Sequence, residues 1–520
     1  MQTFEYGTGH LTVQMAVALA LGKVVGTISE ATRQTIAQSA AQVAQIVADQ
    51  KTVYGINTGF GALANTKISE DDTQLLQHKI LQSHSVGVGE PISPFLSKLM
   101  LITKLHALAK GYSGVRLETL ERIQWHIENE VIPLVPEKGS VGASGDLAPL
   151  AHLCLPLIGL GELWYGGTRY PAQKVLDIFG LQPLQLGPKE GLALINGTQF
   201  IVAHAVQGVQ RMHNCLEAAD IIGAMSLEAL TGTKAPFDER LHQLRPFSGG
   251  QLVAQRLRLF LYGSAIMQSH IDCGRVQDPY SLRCMPQVHG ASRNAWLHLN
   301  EAVETELNSV TDNPLIFLDG ETLSGGNFHG QPLALPLDYA CLAASELGNI
   351  SDRRCYLLLE GKWGLPTLLM NNVGINSGFM IPQYTTAALV TENKTLCFPA
   401  SADSIPTSLG QEDHVSMGSI SGRKFNMVLE NLEYILAIEL LSACQAIEFR
   451  RPLKSSMLLE TAHSLVRDKV AFATEDRVFA SDVLQMKQMI ADFSFVAGIN
   501  DVAATHAFHL NKGFEIFDLH

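Results

Sequence analysis

The sequence predicts a mainly α protein, with a loop-rich N-terminal domain and a long C-terminal helical bundle. Three observations carry this expectation. From Phe200 onward, apolar residues recur at helical spacing over long runs. Before it, shorter helical runs alternate with glycine-rich loops. Alternating β-branched runs are rare, and no repeat period is visible. The change of texture divides the 520 residues into 1–199 and 200–520.

Ser29–Lys51 reads as a helix capped by Ser29, with Ile36, Val43 and Ile46 on its apolar face. Tyr54–Ala62 is a loop with three glycines. Ser69–Ser83 starts on the capping pattern Ser69-x-x-Asp72. Leu76, Ile80 and His84 then fall on one face, and Gly87-x-Gly89 stops the run. Leu117–Ile132 is helical, and Lys138–Gly145 is a second glycine-rich loop. Phe200–Leu230, Asn294–Val310, Pro336–Glu360 and Lys424–Phe449 are each long enough to cross a domain. In the last, Leu429, Leu432, Leu436 and Leu440 form a face with Glu430 and Glu433 as its polar flanks.

Charged residues make up only 17% of the chain, against roughly 25% in an average soluble domain. Mean hydropathy is +0.12. So long a chain with so few charges must bury much surface, which excludes disorder and small disulfide scaffolds. The net charge of −13 and the lack of a basic stripe argue against nucleic-acid binding. Eight cysteines without a CxxC pattern read as free thiols of a cytoplasmic protein. Leu11–Leu21 lacks the positive flank of a signal peptide. Gly191–Gln210 and Trp363–Thr391 are uncharged but rich in Asn, Gln, Gly and Pro, which is costly in lipid. They fit the lining of a deep site better than a membrane span. No HExxH or tight His/Asp ligand cluster suggests a metal among the 18 histidines.

Val141-Gly142-Ala143-Ser144-Gly145-Asp146 is the segment richest in chemistry. A nucleophile elbow would need Gly at 146, where Asp146 stands. Backbone chemistry offers another route. If the loop bends tightly, the Gly145 amide nitrogen can reach the Ala143 carbonyl carbon. Closing the ring loses one water, and Ser144 can lose its hydroxyl as a second. The result is 4-methylidene-imidazol-5-one, an electrophile built from the chain itself in place of an external cofactor.

The context sharpens this. Gly139 through Leu150 closely resembles the signature of the aromatic amino-acid ammonia-lyase family, whose members form this group autocatalytically. Tyr54-Gly55-Ile56-Asn57-Thr58-Gly59-Phe60-Gly61 resembles the family's mobile inner loop. Glu190 through Thr198, Tyr280-Ser281-Leu282-Arg283-Cys284, Gly325-Gly326-Asn327-Phe328-His329 and Gln411-Glu412-Asp413 match further family blocks in order. Ser83-His84, Gln411 through Met417, Asn376 through Ile381 and Val276 through Tyr280 resemble the family's histidine branch. Tyrosine lyases and tyrosine 2,3-aminomutases are the alternative, since some of them carry Ser-His too.

The resemblance implies elimination of ammonia from L-histidine to give trans-urocanate, the first step of histidine degradation. It implies that Ser144 yields the methylidene, attacked by the substrate amine or by its imidazole ring. Tyr54 and Tyr280 are the candidates for proton transfer, and a phenol of pKa about 10 needs a nearby cation or oriented donors for that task. Arg283 would hold the carboxylate through a bidentate fork. Asn196 would donate to the prosthetic-group oxygen. Gln277 and Phe328 would line the pocket. His84 and Glu412 would hold the imidazole, with Met380 as an apolar wall; a carboxylate suits a ring N–H, which phenyl lacks. The resemblance also implies a homotetramer whose active sites combine several subunits.

Overall fold

The computed structural model describes residues 2–49, 51–56, 58, 70–271 and 274–520. Four long helices form its centre. Gln199–Ala229 packs against Gly418–Glu448, Met285–Leu307 and Gln331–Leu359. The first of these is buried along nearly its whole length, as expected of a helix that is apolar all round. Most buried apolar side chains form one large cluster that runs from Phe4 to Phe517, with three small ones beside it among the described residues. Gln199–Ala229 starts one residue before its expectation, and the other three start five to nine residues before theirs. Proline fits the first turn of two of them, Pro286 in Met285–Leu307 and Pro332 in Gln331–Leu359.

The N-terminal part carries the loops. Glu30–Ala48 is capped by Ser29, whose hydroxyl accepts from the Thr32 N–H at 3.2 Å. The next helix runs Glu70–His84, while Ser69 of the expected cap lies outside the described residues. Leu117–Glu128 ends sooner than its periodicity suggests. Glu130 takes a left-handed φ of 54°, and Ile132–Pro133 turns into a strand paired with Glu162–Tyr165. That strand continues into a hairpin with Thr168–Pro171. Val88–Pro91 pairs antiparallel with Pro136–Lys138. This short ladder ends where the glycine-rich loop at 139–146 begins, and so anchors it.

The bundle buries charge as well as hydrocarbon. Glu439 takes Arg354 in a two-pronged pair, at 2.5 and 2.9 Å, and accepts from Ser226 and Ser351. Asp220 meets Arg256, Arg293 and His289 within 2.9 Å. Glu433 is not a solvated flank as expected: it is 2% exposed and pairs with Arg211 at 2.8 Å. Removing one partner of such a pair leaves an uncompensated buried charge. Glu439→Ala is therefore expected to lower unfolding free energy by about 3–5 kcal/mol. Replacing Asp238, whose partner Arg240 is exposed, should cost far less, because such a pair is screened by solvent. Urea unfolding of the two variants checks the contrast; equal midpoints would contradict it.

Candidate active site

The 139–146 loop is folded back on itself by four residues of positive φ. Gly139 has φ 129°, Gly142 φ 88°, Ser144 φ 50° and Gly145 φ 82°. Ser144 takes that strain without being glycine. A Cβ on Gly145 would stand 2.1 Å from the carbonyl oxygen of Gly197, and one on Gly142 would stand 2.3 Å from Ser416 Oγ. The loop therefore lies backbone to backbone against the 196–198 turn, an approach that only glycine permits. Gly197 N–H donates to the Ser144 carbonyl at 3.1 Å, and Asp146 N–H donates to the Gly197 carbonyl at 2.8 Å. Among the described residues, no acceptor takes the Gly145 N–H, which leaves that nitrogen available to the Ala143 carbonyl. Ala143 itself is buried with Val415 and Met417.

Asp146 fixes this geometry. It is fully buried. One carboxylate oxygen accepts from Phe200 N–H and Ile201 N–H, both at 3.0 Å, and the other accepts from Ser140 Oγ at 3.3 Å. Burial pushes its carboxyl up to about 7, against the pull of these three donors. The same carboxylate thus closes the loop and caps the 199–229 helix. Two more long helices start here. Met417 N–H donates to the Val141 carbonyl just before Gly418–Glu448, and a Cβ on Gly330 would meet Ile201 Cδ1 at 2.7 Å just before Gln331–Leu359. Three helix N-termini, each with a partial positive charge, thus start at or beside this loop. A tight turn, a free amide and donors on that carbonyl fit a cyclised Ala143-Ser144-Gly145.

Several expected site residues gather around this loop. Gly55, beside Tyr54, packs on Leu192 and Pro314; Asn57 and residues 59–61 of the inner loop lie outside the described residues. His84 ends its helix half-buried, with Ser83 Oγ 3.0 Å from its Nδ1. Burial draws the His84 pKa down, while the Ile80 carbonyl and the charge of Glu412 pull it up. His84 is thus largely neutral at pH 7 and feels Glu412 across the site. Glu412 sits in a small bridge with Thr407, whose hydroxyl donates to its carboxylate at 3.0 Å. Phe328, half-buried, precedes His329, which stacks on His414 at 5.8 Å.

Asn196 is near the loop but occupied. Its Nδ2 donates to the Asn313 carbonyl at 2.8 Å and to Asp312 Oδ1 at 3.3 Å. The donor on the Ser144 carbonyl is the Gly197 backbone, not the Asn196 side chain. Sequence reasoning also missed the support behind this turn. Lys189 Nζ pairs with Asp312 at 2.6 Å, both buried, and Lys104 Nζ donates to the Asn196 carbonyl at 2.5 Å. The available signal was two lysines, Lys98 and Lys104, inside the mostly apolar helix Pro94–Ala109.

Four expected residues lie elsewhere. Asp278 accepts from Thr233 N–H at 2.6 Å, just past the C-terminal end of the 199–229 helix. Its carbonyl accepts from Arg283 Nε at 3.0 Å, and the Arg283 guanidinium lies 4.5 Å from the Tyr280 ring centre. Tyr280 is 69% exposed, and Gln277 is exposed beside it. Met380 follows Phe379, whose N–H donates to the Leu368 carbonyl; Leu369 in turn accepts from Gln445, near the far end of the 418–448 helix. Each helix has 31 residues. At 1.5 Å per residue, the two groups stand roughly 45 Å apart within one chain.

The close approach at Gly145 yields a prediction. Gly145→Ala should prevent cyclisation, because the methyl group and the Gly197 carbonyl cannot share the space. Its intact mass is expected to equal that of the encoded chain. A two-water deficit in this variant would refute the geometry.

The sequence and the fold both have relatives. The sequence profile of the family described as Aromatic amino acid lyase matches residues 11–468. A histidine ammonia-lyase of Sorangium cellulosum is 50% identical over 457 residues, covering 86% of this chain and 89% of that protein. The crystal structure of histidine ammonia-lyase from Trypanosoma cruzi superposes with TM-score 0.90 at 41% identity, covering 100% of this chain and 98% of that one. A tyrosine aminomutase from Streptomyces globisporus also superposes at 0.90, with 32% identity and coverage of 96% and 98%. The backbone alone therefore does not separate these activities, but the match over most of the sequence establishes that the chain belongs to the aromatic amino acid lyase family.

Proposed function

We infer that this protein is a histidine ammonia-lyase, which eliminates ammonia from L-histidine to give trans-urocanate. The observation that carries the reading is that Glu412 lies close enough to His84 for its charge to act on the imidazole. A carboxylate and a neutral imidazole together can accept from and donate to a substrate imidazole. The relatives named histidine ammonia-lyase support the same conclusion.

We propose that Ala143, Ser144 and Gly145 cyclise to 4-methylidene-imidazol-5-one, which supplies an electrophilic carbon that no side chain offers. Gly197 N–H then holds the oxygen that was the Ser144 carbonyl. Arg283 takes the substrate carboxylate, with Gln277 beside it. Phe328 and Met380 supply apolar walls. The β-proton of the substrate goes to a phenolate oxygen, of Tyr54 or of Tyr280.

Arg283, Tyr280, Gln277 and Met380 stand too far from Ser144 to serve it within one chain. We therefore propose that a second subunit supplies them, in a homotetramer. The exposed side of helix Gln331–Leu359 supports assembly. Leu335, Tyr339, Leu342 and Tyr356 are each at least half exposed and fall in a heptad stripe. Ile375, Ile381 and Tyr384, in the second uncharged stretch, are exposed as well. In this reading residues 1–199 carry the loop and 200–520 the assembling bundle. No helix among the described residues is long and apolar enough to cross a membrane. The seven described cysteines are free, which suits a reducing cytoplasm.

Three measurements test this. Incubation with L-histidine should produce urocanate, and its absence would end the reading. Ser144→Ala should fold and assemble normally yet lose nearly all turnover, with no mass deficit. Glu412→Gln should lower kcat/KM for L-histidine by about 10–100-fold, the worth of a hydrogen bond to a charged group. Unchanged kinetics in that variant would remove Glu412 from the imidazole site.

A further inference from the structure

Burying a lysine is costly, and helix Pro94–Ala109 buries two. Lys98 reaches out to the exposed carboxylate of Glu130. Lys104 does not. It is 2% exposed and points inward, at the back of the 196–198 turn, where its Nζ donates to the Asn196 carbonyl at 2.5 Å. That carbonyl belongs to the same peptide unit as Gly197 N–H, which donates to the Ser144 carbonyl at 3.1 Å. An ammonium, one peptide unit and the carbonyl of the cyclising residue thus form a continuous hydrogen-bonded chain. Bonds in such a chain polarise one another, and the low dielectric of a buried site strengthens the effect.

We propose that Lys104 activates the prosthetic group from a distance: its ammonium draws electron density through the Asn196–Gly197 peptide from the Ser144 carbonyl oxygen, and so sets how electrophilic the conjugated methylidene carbon is. The proposal rests on the cyclisation proposed above. Lys104 touches neither substrate nor reacting carbon, so it is a positioning residue. The arrangement around it suits this task. Asp312, the nearest buried acid on the 311–314 segment, is already taken by Lys189. Asp146 is committed to Phe200, Ile201 and Ser140. The Lys104 charge is therefore left to the Asn196 carbonyl.

The groups facing Lys104 are Asp312, Cys154 on helix Leu147–Cys154, Lys189 and Asp146. Burial draws its ammonium down to about 8; Lys189 acts in the same direction, and Asp312, Cys154 and Asp146 oppose it. The sign is definite. Lys104 is charged below that pH, and its pull on the chain is lost as pH rises through it. A lysine that only held the fold together would not make the electrophile depend on pH.

The test uses the whole assembled protein without substrate. Cyanide is the probe: its carbon bonds to the methylidene carbon, the ring takes up a proton, and intact mass reads the gain of one HCN. Rates are divided by the fraction of cyanide present as anion. In the unaltered protein this corrected rate is expected to fall about ten-fold between pH about 7 and about 9.5, with its midpoint near the Lys104 value. Lys104→Met should add cyanide about ten-fold more slowly at the lower pH and show no midpoint. Its two-water deficit, circular dichroism and assembly size should be unchanged. Lys104→Met that matches the unaltered protein in rate and pH profile would overturn the proposal. If that variant fails to fold, the profile of the unaltered protein decides, and a flat one overturns the proposal. A two-water deficit with a flat profile refutes this proposal alone; no deficit at all refutes the cyclisation on which it rests.

Discussion

The fold of the site depends on one buried carboxylate. Asp146 accepts from the first free amides of the 199–229 helix while its own N–H holds the Gly197 carbonyl. A helix start exposes amides that need partners, and here the partner comes from the loop that carries the chemistry. The loop cannot swing away without uncapping the central helix of the bundle. The helix cannot shift without opening the turn at Ser144. The strained φ of Ser144 persists because the structure on both sides of it is over-determined.

Helix length imposes a second constraint. The cap fixes the loop at one end of a helix 31 residues long, and Asp278 ties the Tyr280–Arg283 turn to the other. No rearrangement short of breaking the bundle brings them together. The bundle is thus both core and spacer. An antiparallel neighbour offset along the exposed heptad stripe would bring its Arg283 end to this Ser144 end. The apolar stripe and the split site are then two aspects of one arrangement.

Much of this was legible in the sequence. Helical periodicity located the four long helices because a buried helix must keep its apolar spacing over its whole length. The Ala143-Ser144-Gly145 turn was legible because glycines at 142 and 145 report a backbone approach that no other residue allows. Distances between elements were not legible. Nothing in the order of residues says that Tyr280 and Ser144 lie at opposite ends of a bundle, since both motifs match the family equally well. The partners of Asn196 were not legible for a related reason. An amide has two hydrogens, and only the folded chain shows that Asp312 and Asn313 accept from them here. The short Leu117–Glu128 helix was overextended because Glu130, which ends the run in a left-handed turn, carries no Gly or Pro signal.

The low charge content of the chain takes on a more specific meaning. Charges are few, yet many of those present are buried: Asp146, Glu190, Asp220, Arg256, Arg354 and Glu439 are all 1% exposed or less. Such groups cost several kcal/mol each to desolvate, even after relaxation. Hydrocarbon of the same volume would serve stability as well or better, so stability alone does not explain their retention. Position accounts for part of the pattern. Asp146 and Glu190 both lie against the turn or the short Glu190–Ile195 helix that leads to Asn196, and Glu190 binds the Arg116 N–H, the Arg116 guanidinium and the Thr119 hydroxyl. Each fixes a backbone segment in one place through several directed bonds, which dispersion contacts cannot do. A surface-poor sequence spends its buried charge where atoms must be held to within a fraction of an ångström, and the turn that presents Ser144 is such a place.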